Sequence, residues 1–134
     1  MITSTVLYQG ELICQLTHDR SGQRFHTDAP VDNNGKGSAF SPTDLAATSL
    51  ATCMLTVMGI WARDREINID GAMAKVVKHM GTNPRRIVRI EVEITMPDRQ
   101  YDARTRSALT HIAETCPVAK SLHPDLQQDV TFIW

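Results

Sequence analysis

The sequence predicts an α+β fold with a largely antiparallel sheet, and three observations carry that prediction. A long stretch, Ser41 to Ala62, opens with helix-start signals and is uncharged from Leu45 onward. The run Ile87 to Met96 alternates apolar and polar residues. Short strand-like segments flank both the uncharged stretch and a second, amphipathic helical pattern after Asp102. Strands, long helix, strands, helix and strand, in that order, describe helices grouped on an antiparallel sheet.

Residues 3 to 8 and 11 to 18 are short and rich in β-branched or alternating apolar residues, with Gly10 between them, which predicts two antiparallel strands. Cys14 falls in the second as a small, half-buried strand residue. A Ser21-Gly22 turn leads to a third short strand, Gln23 to Thr27. The segment Asp28 to Phe40 is a loop rich in Pro, Asn and Gly, placed to border a pocket.

Ser41 suits an N-cap, Pro42 the first helical position, and Asp44 completes a capping-box pattern, so the long helix starts here. From Leu45 to Ala62 no residue is charged, and apolar side chains occupy every side of the helical wheel. Length alone reaches the lower limit for a membrane span, but Thr48, Ser49, Thr52, Thr56 and Gly59 dilute the run, and a buried core helix is the expectation. Its apolar character ends at Arg63-Asp64-Arg65-Glu66.

Ala72 to Met80 and Ile87 to Met96 form a hairpin pattern around Gly81 to Arg86. In the second run Val88, Ile90, Val92 and Ile94 face one way and Arg89, Glu91, Glu93 and Thr95 the other, as in a sheet with one wet face. Arg85-Arg86 lacks a glycine-rich cradle and reads as a solvated turn. Asp102 caps a second helix to about Thr115, with a stripe of Ala108, Leu109, Ile112 and Ala113 that Cys116 extends. Cys116-Pro117 breaks it, Val118 to Leu122 allows a short further turn, and Val130 to Trp134 closes the chain as a strand.

A chain of 134 residues predicts one domain, residues 1–134, large enough to bury a real core. The net charge of -1 gives no global attraction for nucleic acid or anionic membrane, which leaves small molecules or proteins as partners. The N-terminus lacks the charged flank and apolar core of a secretory signal, so a cytoplasmic location is expected. The five histidines are scattered without metal-ligand spacing, and no metal site is expected. His123 reads as a surface histidine near a turn. Because the long helix needs more cover than one sheet face and a short helix supply, a second copy of the chain is expected to cover it, giving an obligate homodimer.

The three cysteines, Cys14, Cys53 and Cys116, are too few for a disulfide scaffold. Cys53 lies mid-helix, out of reach of the helix macrodipole, which acts over the first turn. Cys116, before Pro117, stands at the N-cap of a short helix, where N–H groups favour a thiolate. From dipoles alone Cys116 is the more activated. Residue types leave two readings open, a redox pair or two structural thiols, because bridging requires Cα atoms about 4.4–6.8 Å apart and sequence does not show that.

The motif S-P-T-D-L-A-A-T-S-L-A-T-C-M, followed by C-P-V-A-K-S-L, resembles the OsmC/Ohr family of osmotically induced and organic-hydroperoxide-resistance proteins over nearly the whole chain. The resemblance implies an OsmC-like α+β fold, an intertwined homodimer with two central helices, sites at the subunit interface and thiol-dependent reduction of organic hydroperoxides. It matches Cys53 to the family's peroxide-attacking cysteine and Cys116 to its resolving partner. It implies no bound cofactor, and a thiol or dithiol as external reductant. The family positions the attacking thiol with an arginine from the strand region, for which Arg24 or Arg20 stands here, and with a glutamate before the long helix. This chain departs at the glutamate: the peroxidase branches carry N-P-E, whereas Ser41-Pro42-Thr43 stands here and Asp44 comes one position later. A dimeric OsmC-fold protein that binds a small apolar ligand is therefore the alternative to a peroxidase.

Overall fold

Six strands and three α-helices are drawn from Met1–Trp134, all of which the computed structural model describes. The chain packs as two units, Met1–Ala46 and Ala47–Trp134. In the first, β1 (Ser4–Gly10), β2 (Ile13–His18) and β3 (Arg24–Thr27) form an antiparallel sheet in the order β1-β2-β3. The β1–β2 turn uses left-handed backbone at Gly10, Glu11 and Leu12, and the register shifts between Tyr8 and Gly10. Gly22, at φ 75°, closes the second turn, where the Gly22 N–H donates to the His18 carbonyl at 2.7 Å.

The loop after β3 is held by a buried carboxylate. Asp28 accepts from the Ala29 N–H at 2.8 Å, the Ser38 N–H at 3.1 Å and the Ser38 hydroxyl at 2.6 Å. Between these anchors the chain folds so tightly that a Cβ on Gly35 would lie 1.7 Å from the Ala29 carbonyl oxygen, so only glycine fits there. The ends of the loop border a cavity of about 530 Å³, lined also by Phe25 and His26, as expected.

The long helix α1 (Pro42–Asp64) starts at the predicted capping box: the Asp44 N–H donates to Ser41 Oγ at 3.0 Å, and the Ser41 N–H to Asp44 Oδ2 at 3.1 Å. In the second unit, β4 (Met73–Gly81) and β5 (Arg86–Thr95) form the predicted hairpin. Asp102 caps α2 (Ala103–Glu114) by accepting the Thr105 N–H at 2.7 Å. The short α3 (Pro117–Ser121) and β6 (Gln127–Ile133) complete the chain.

Two expectations are corrected here. The strands form two three-stranded sheets rather than one, and β6 joins β5 in parallel, giving the order β4-β5-β6. A parallel pair needs a crossover connection, and α2 with α3 supplies it. The helix α1, as expected from its apolar circumference, is not covered all round by its own chain. Ala47, Leu50, Ala51, Met54, Met58 and Ala62 form its buried stripe, and all but Ala62 join Ile90, Val92 and Ile94 of β5 and Leu109 and Ala113 of α2 in one core, whereas Thr52, Thr56 and Ile60 are exposed. By length and composition α1 could cross a membrane; in this fold it is the centre of the core.

Candidate active site at two thiols

The second unit places Cys53 and Cys116 together. Cys53 sits midway along α1, half-buried and packed against the core. Cys116 is 1% exposed and follows Thr115, the C-cap of α2, whose N–H donates to the His111 carbonyl at 3.1 Å. The break is local chemistry: the proline ring of Pro117 fits the first turn of α3, and the extended Cys116 (φ −64°, ψ 157°) becomes its N-cap. Its sulfur accepts the Ala119 N–H at 3.4 Å and lies beside the Cys53 thiol, near enough for Cys53 to act on its titration. All three cysteines are free thiols; Cys14 lies on β2, opposite Tyr8 and Thr27, in the first unit.

Burial pushes the Cys116 thiol above its ordinary value. The Ala119 N–H pulls it down, and the hydrogen bond and charge of Cys53 push it up again. The net direction is upward, so Cys116 holds its proton at neutral pH. That is the opposite of the thiolate expected for Cys116 from its N-cap position. The N-cap donor is present, but it is outweighed by desolvation of a side chain that the fold buries.

The other residues weighed from sequence fall elsewhere. Arg20 and Arg24 are exposed, at the β2–β3 turn and on β3. The Thr43 hydroxyl lies 3.3 Å from Ser41 Oγ, and the Asp44 carboxylate is engaged in the capping box. His123 is exposed, and its Nδ1 accepts the Asp125 N–H at 3.0 Å, the surface turn expected of it. No group of three or more His, Cys, Asp or Glu side chains gathers where an ion could be held. A cleft of about 690 Å³ on the wet side of the second sheet contains neither cysteine. Its charges bind one another: Arg89 Nε donates to Asp129 at 2.5 Å and Arg89 Nη2 to Glu91 at 3.2 Å, and His79 Nε2 lies 2.6 Å from Glu91.

Sequence reasoning missed one contact near the thiols. Gln128 Nε2 on β6 donates to the Ala119 carbonyl at 3.0 Å. A glutamine that binds a backbone carbonyl leaves no pattern in the sequence.

A model of the OsmC-like protein family matches residues 35–130 of the chain. No curated protein matches it. Among solved structures, a protein from Psychrobacter arcticus 273-4, described as a candidate osmotic stress induced and detoxification response protein, is 52% identical, with a TM-score of 0.95 over 98% of this chain and 96% of that one. An organic hydroperoxide resistance protein OsmC from Legionella pneumophila is 14% identical, with a TM-score of 0.77 over 100% and 98% of the two chains. The organic hydroperoxide resistance protein OhrB of Bacillus subtilis is 19% identical, with a TM-score of 0.68 over 98% of each chain. At those identities the last two likenesses speak for the fold.

Proposed function

The chain belongs to the OsmC family, and on that premise we propose that residues 1–134 act as a single OsmC-like domain, a cytoplasmic homodimeric thiol peroxidase that reduces organic hydroperoxides through Cys53 and Cys116. The observation that carries this reading is that the two thiols share one packed core, one half-buried and the other 1% exposed. A peroxide must reach the attacking sulfur, which favours Cys53. The Cys53 thiolate attacks the terminal oxygen of the hydroperoxide, the O–O bond breaks, and the leaving alkoxide takes a proton and departs as an alcohol. The Cys53 sulfenic acid then condenses with the Cys116 thiol, releasing water and forming a disulfide. An external thiol or dithiol reduces the disulfide by exchange and is itself oxidised. The scheme requires no bound cofactor.

The homodimer is supported by apolar surface that one chain leaves open. Val6, Leu7, Tyr8 and Phe25 are exposed on the first sheet, and Ile60 is 49% exposed on α1. A second copy is the occupant that fits the long helix with its uncovered side. Sedimentation of dilute protein should show twice the chain mass; a stable folded monomer at micromolar concentration overturns the dimer.

Thr43, standing where the resemblance expects glutamate, favours a second reading, a dimeric OsmC-fold protein that holds a small apolar ligand. The deciding experiment is mass measurement after addition of tert-butyl hydroperoxide. The peroxidase loses about two mass units per chain together with two thiols, whereas the binding protein keeps all its thiols.

A further inference from the structure

The segment that carries Cys116 is too short to hold its own position. A helix of five residues, Pro117–Ser121, lies far below the length at which helices are stable alone. Cys116 itself is tied back to α2 by its N–H to the Ala113 carbonyl at 3.3 Å, but the internal bonds of the turn beyond it, such as Lys120 N–H to the Cys116 carbonyl at 3.0 Å and the Ser121 hydroxyl to the Pro117 carbonyl at 2.8 Å, shape the turn without anchoring it to its surroundings. Leu122 then turns extended (φ −73°, ψ 153°), so the amide that would bond the Ala119 carbonyl in a longer helix is not in place. Ala119 is 8% exposed, and a carbonyl that deep needs a partner. Gln128 supplies it at 3.0 Å from β6, a strand hydrogen-bonded to β5 in the core sheet. The same Ala119 residue gives its N–H to the Cys116 sulfur at 3.4 Å.

We propose that Gln128 is a positioning residue for Cys116: by holding the Ala119 carbonyl, it ties the α3 turn to β6 and keeps the Cys116 thiol against Cys53. The inference rests on the reading of the two cysteines as a redox pair. Its chemical consequence is a high effective concentration of one thiol at the other in the reduced protein. With the tie cut, the turn samples other positions when reduced but remains constrained by the bond when oxidised, so the disulfide becomes easier to reduce.

The test is the equilibrium of the Cys53–Cys116 disulfide with mixtures of reduced and oxidised glutathione, in a Cys14→Ser background. Gln128→Met, similar in length but without a donor, should lower the disulfide's equilibrium constant about tenfold, the scale of one buried hydrogen bond, or about 30 mV in potential. Gln128→Lys, which keeps a donor at similar reach, should stay within about twofold of the parent, since the bond is replaced rather than lost. A parent-like constant in Gln128→Met overturns the proposal. Equal losses in Met and Lys variants overturn it too, because packing alone would then explain them. The measurement uses no peroxide, so a parent protein that forms this disulfide with glutathione yet ignores hydroperoxide overturns the proposed function and leaves the Gln128 result to stand or fall by itself.

Discussion

The Cys116 thiol lies beside the Cys53 thiol, in a site that is itself 1% exposed. The pair is therefore chemically unequal before any peroxide arrives, because desolvation disfavours charge on one sulfur and leaves the other the more accessible.

That inequality gives separable mutant behaviour. Cys53→Ser should abolish peroxide-dependent thiol loss. Cys116→Ser should still consume one equivalent of peroxide and stop at a sulfenic acid, which dimedone traps. Cys14→Ser should form one intramolecular disulfide as the parent does. Peptide mapping that places Cys14 in the bridge would refute the assignment.

Local chemistry made much of this fold legible. The Ser41–Asp44 capping box, the Asp102 cap and the alternation of Ile90, Val92 and Ile94 each depend on residues close in sequence, and each lies where it was expected. The start of β6 did not. Gln127, Gln128 and Asp129 look like loop, but their polar groups are used: Asp129 accepts from Arg89 and from Gln127, and Gln128 donates to Ala119. Its parallel pairing with β5 was equally hidden, since side-chain period does not distinguish strand direction. The proton held on Cys116 follows from burial by α1, α2 and the second sheet, which no local signal reports.

The capping box offers a test of stability. Ser41 is 1% exposed and its side chain accepts the Asp44 N–H, so Ser41→Ala leaves that donor without its partner. A cost of about 1 kcal/mol is expected, or a fall of about 4 °C in melting temperature for a chain of this size. Ser41→Ala and Asp44→Ala together should cost less than their sum, because they remove one reciprocal motif.

Acid sensitivity should trace to particular carboxylates. The Ser38 hydroxyl and N–H, with the Ala29 N–H, hold Asp28 below its ordinary value; Arg89 and then Gln127 do the same for Asp129. A depressed carboxyl contributes stability that is present above its unfolded value, about 3.9, and is lost as pH falls through the lower folded value. Asp28→Asn should thus lower stability at neutral pH and flatten its decline below about pH 4. Thermal melts across that range check this, and an unchanged acid limb would count against the Asp28 staple.

Cys116 predicts the opposite limb. Its value is raised, first by burial, so its folded form keeps a proton that the unfolded chain loses near the ordinary cysteine value of about 8.5. The stability this contributes is fully present below that pH and is lost as pH rises toward the folded value. Cys116→Ala should accordingly soften the alkaline decline in stability. Thiolate absorbance of Cys14→Ser/Cys53→Ser protein reads the same group directly, with one thiol left to titrate. Removing Cys53 takes away its hydrogen bond and its charge but leaves the burial, so the midpoint should stay above that of the same chain unfolded in urea. A midpoint at or below the unfolded value would mean that the Ala119 N–H outweighs desolvation, and Cys116 would then replace Cys53 as the thiol that meets the peroxide.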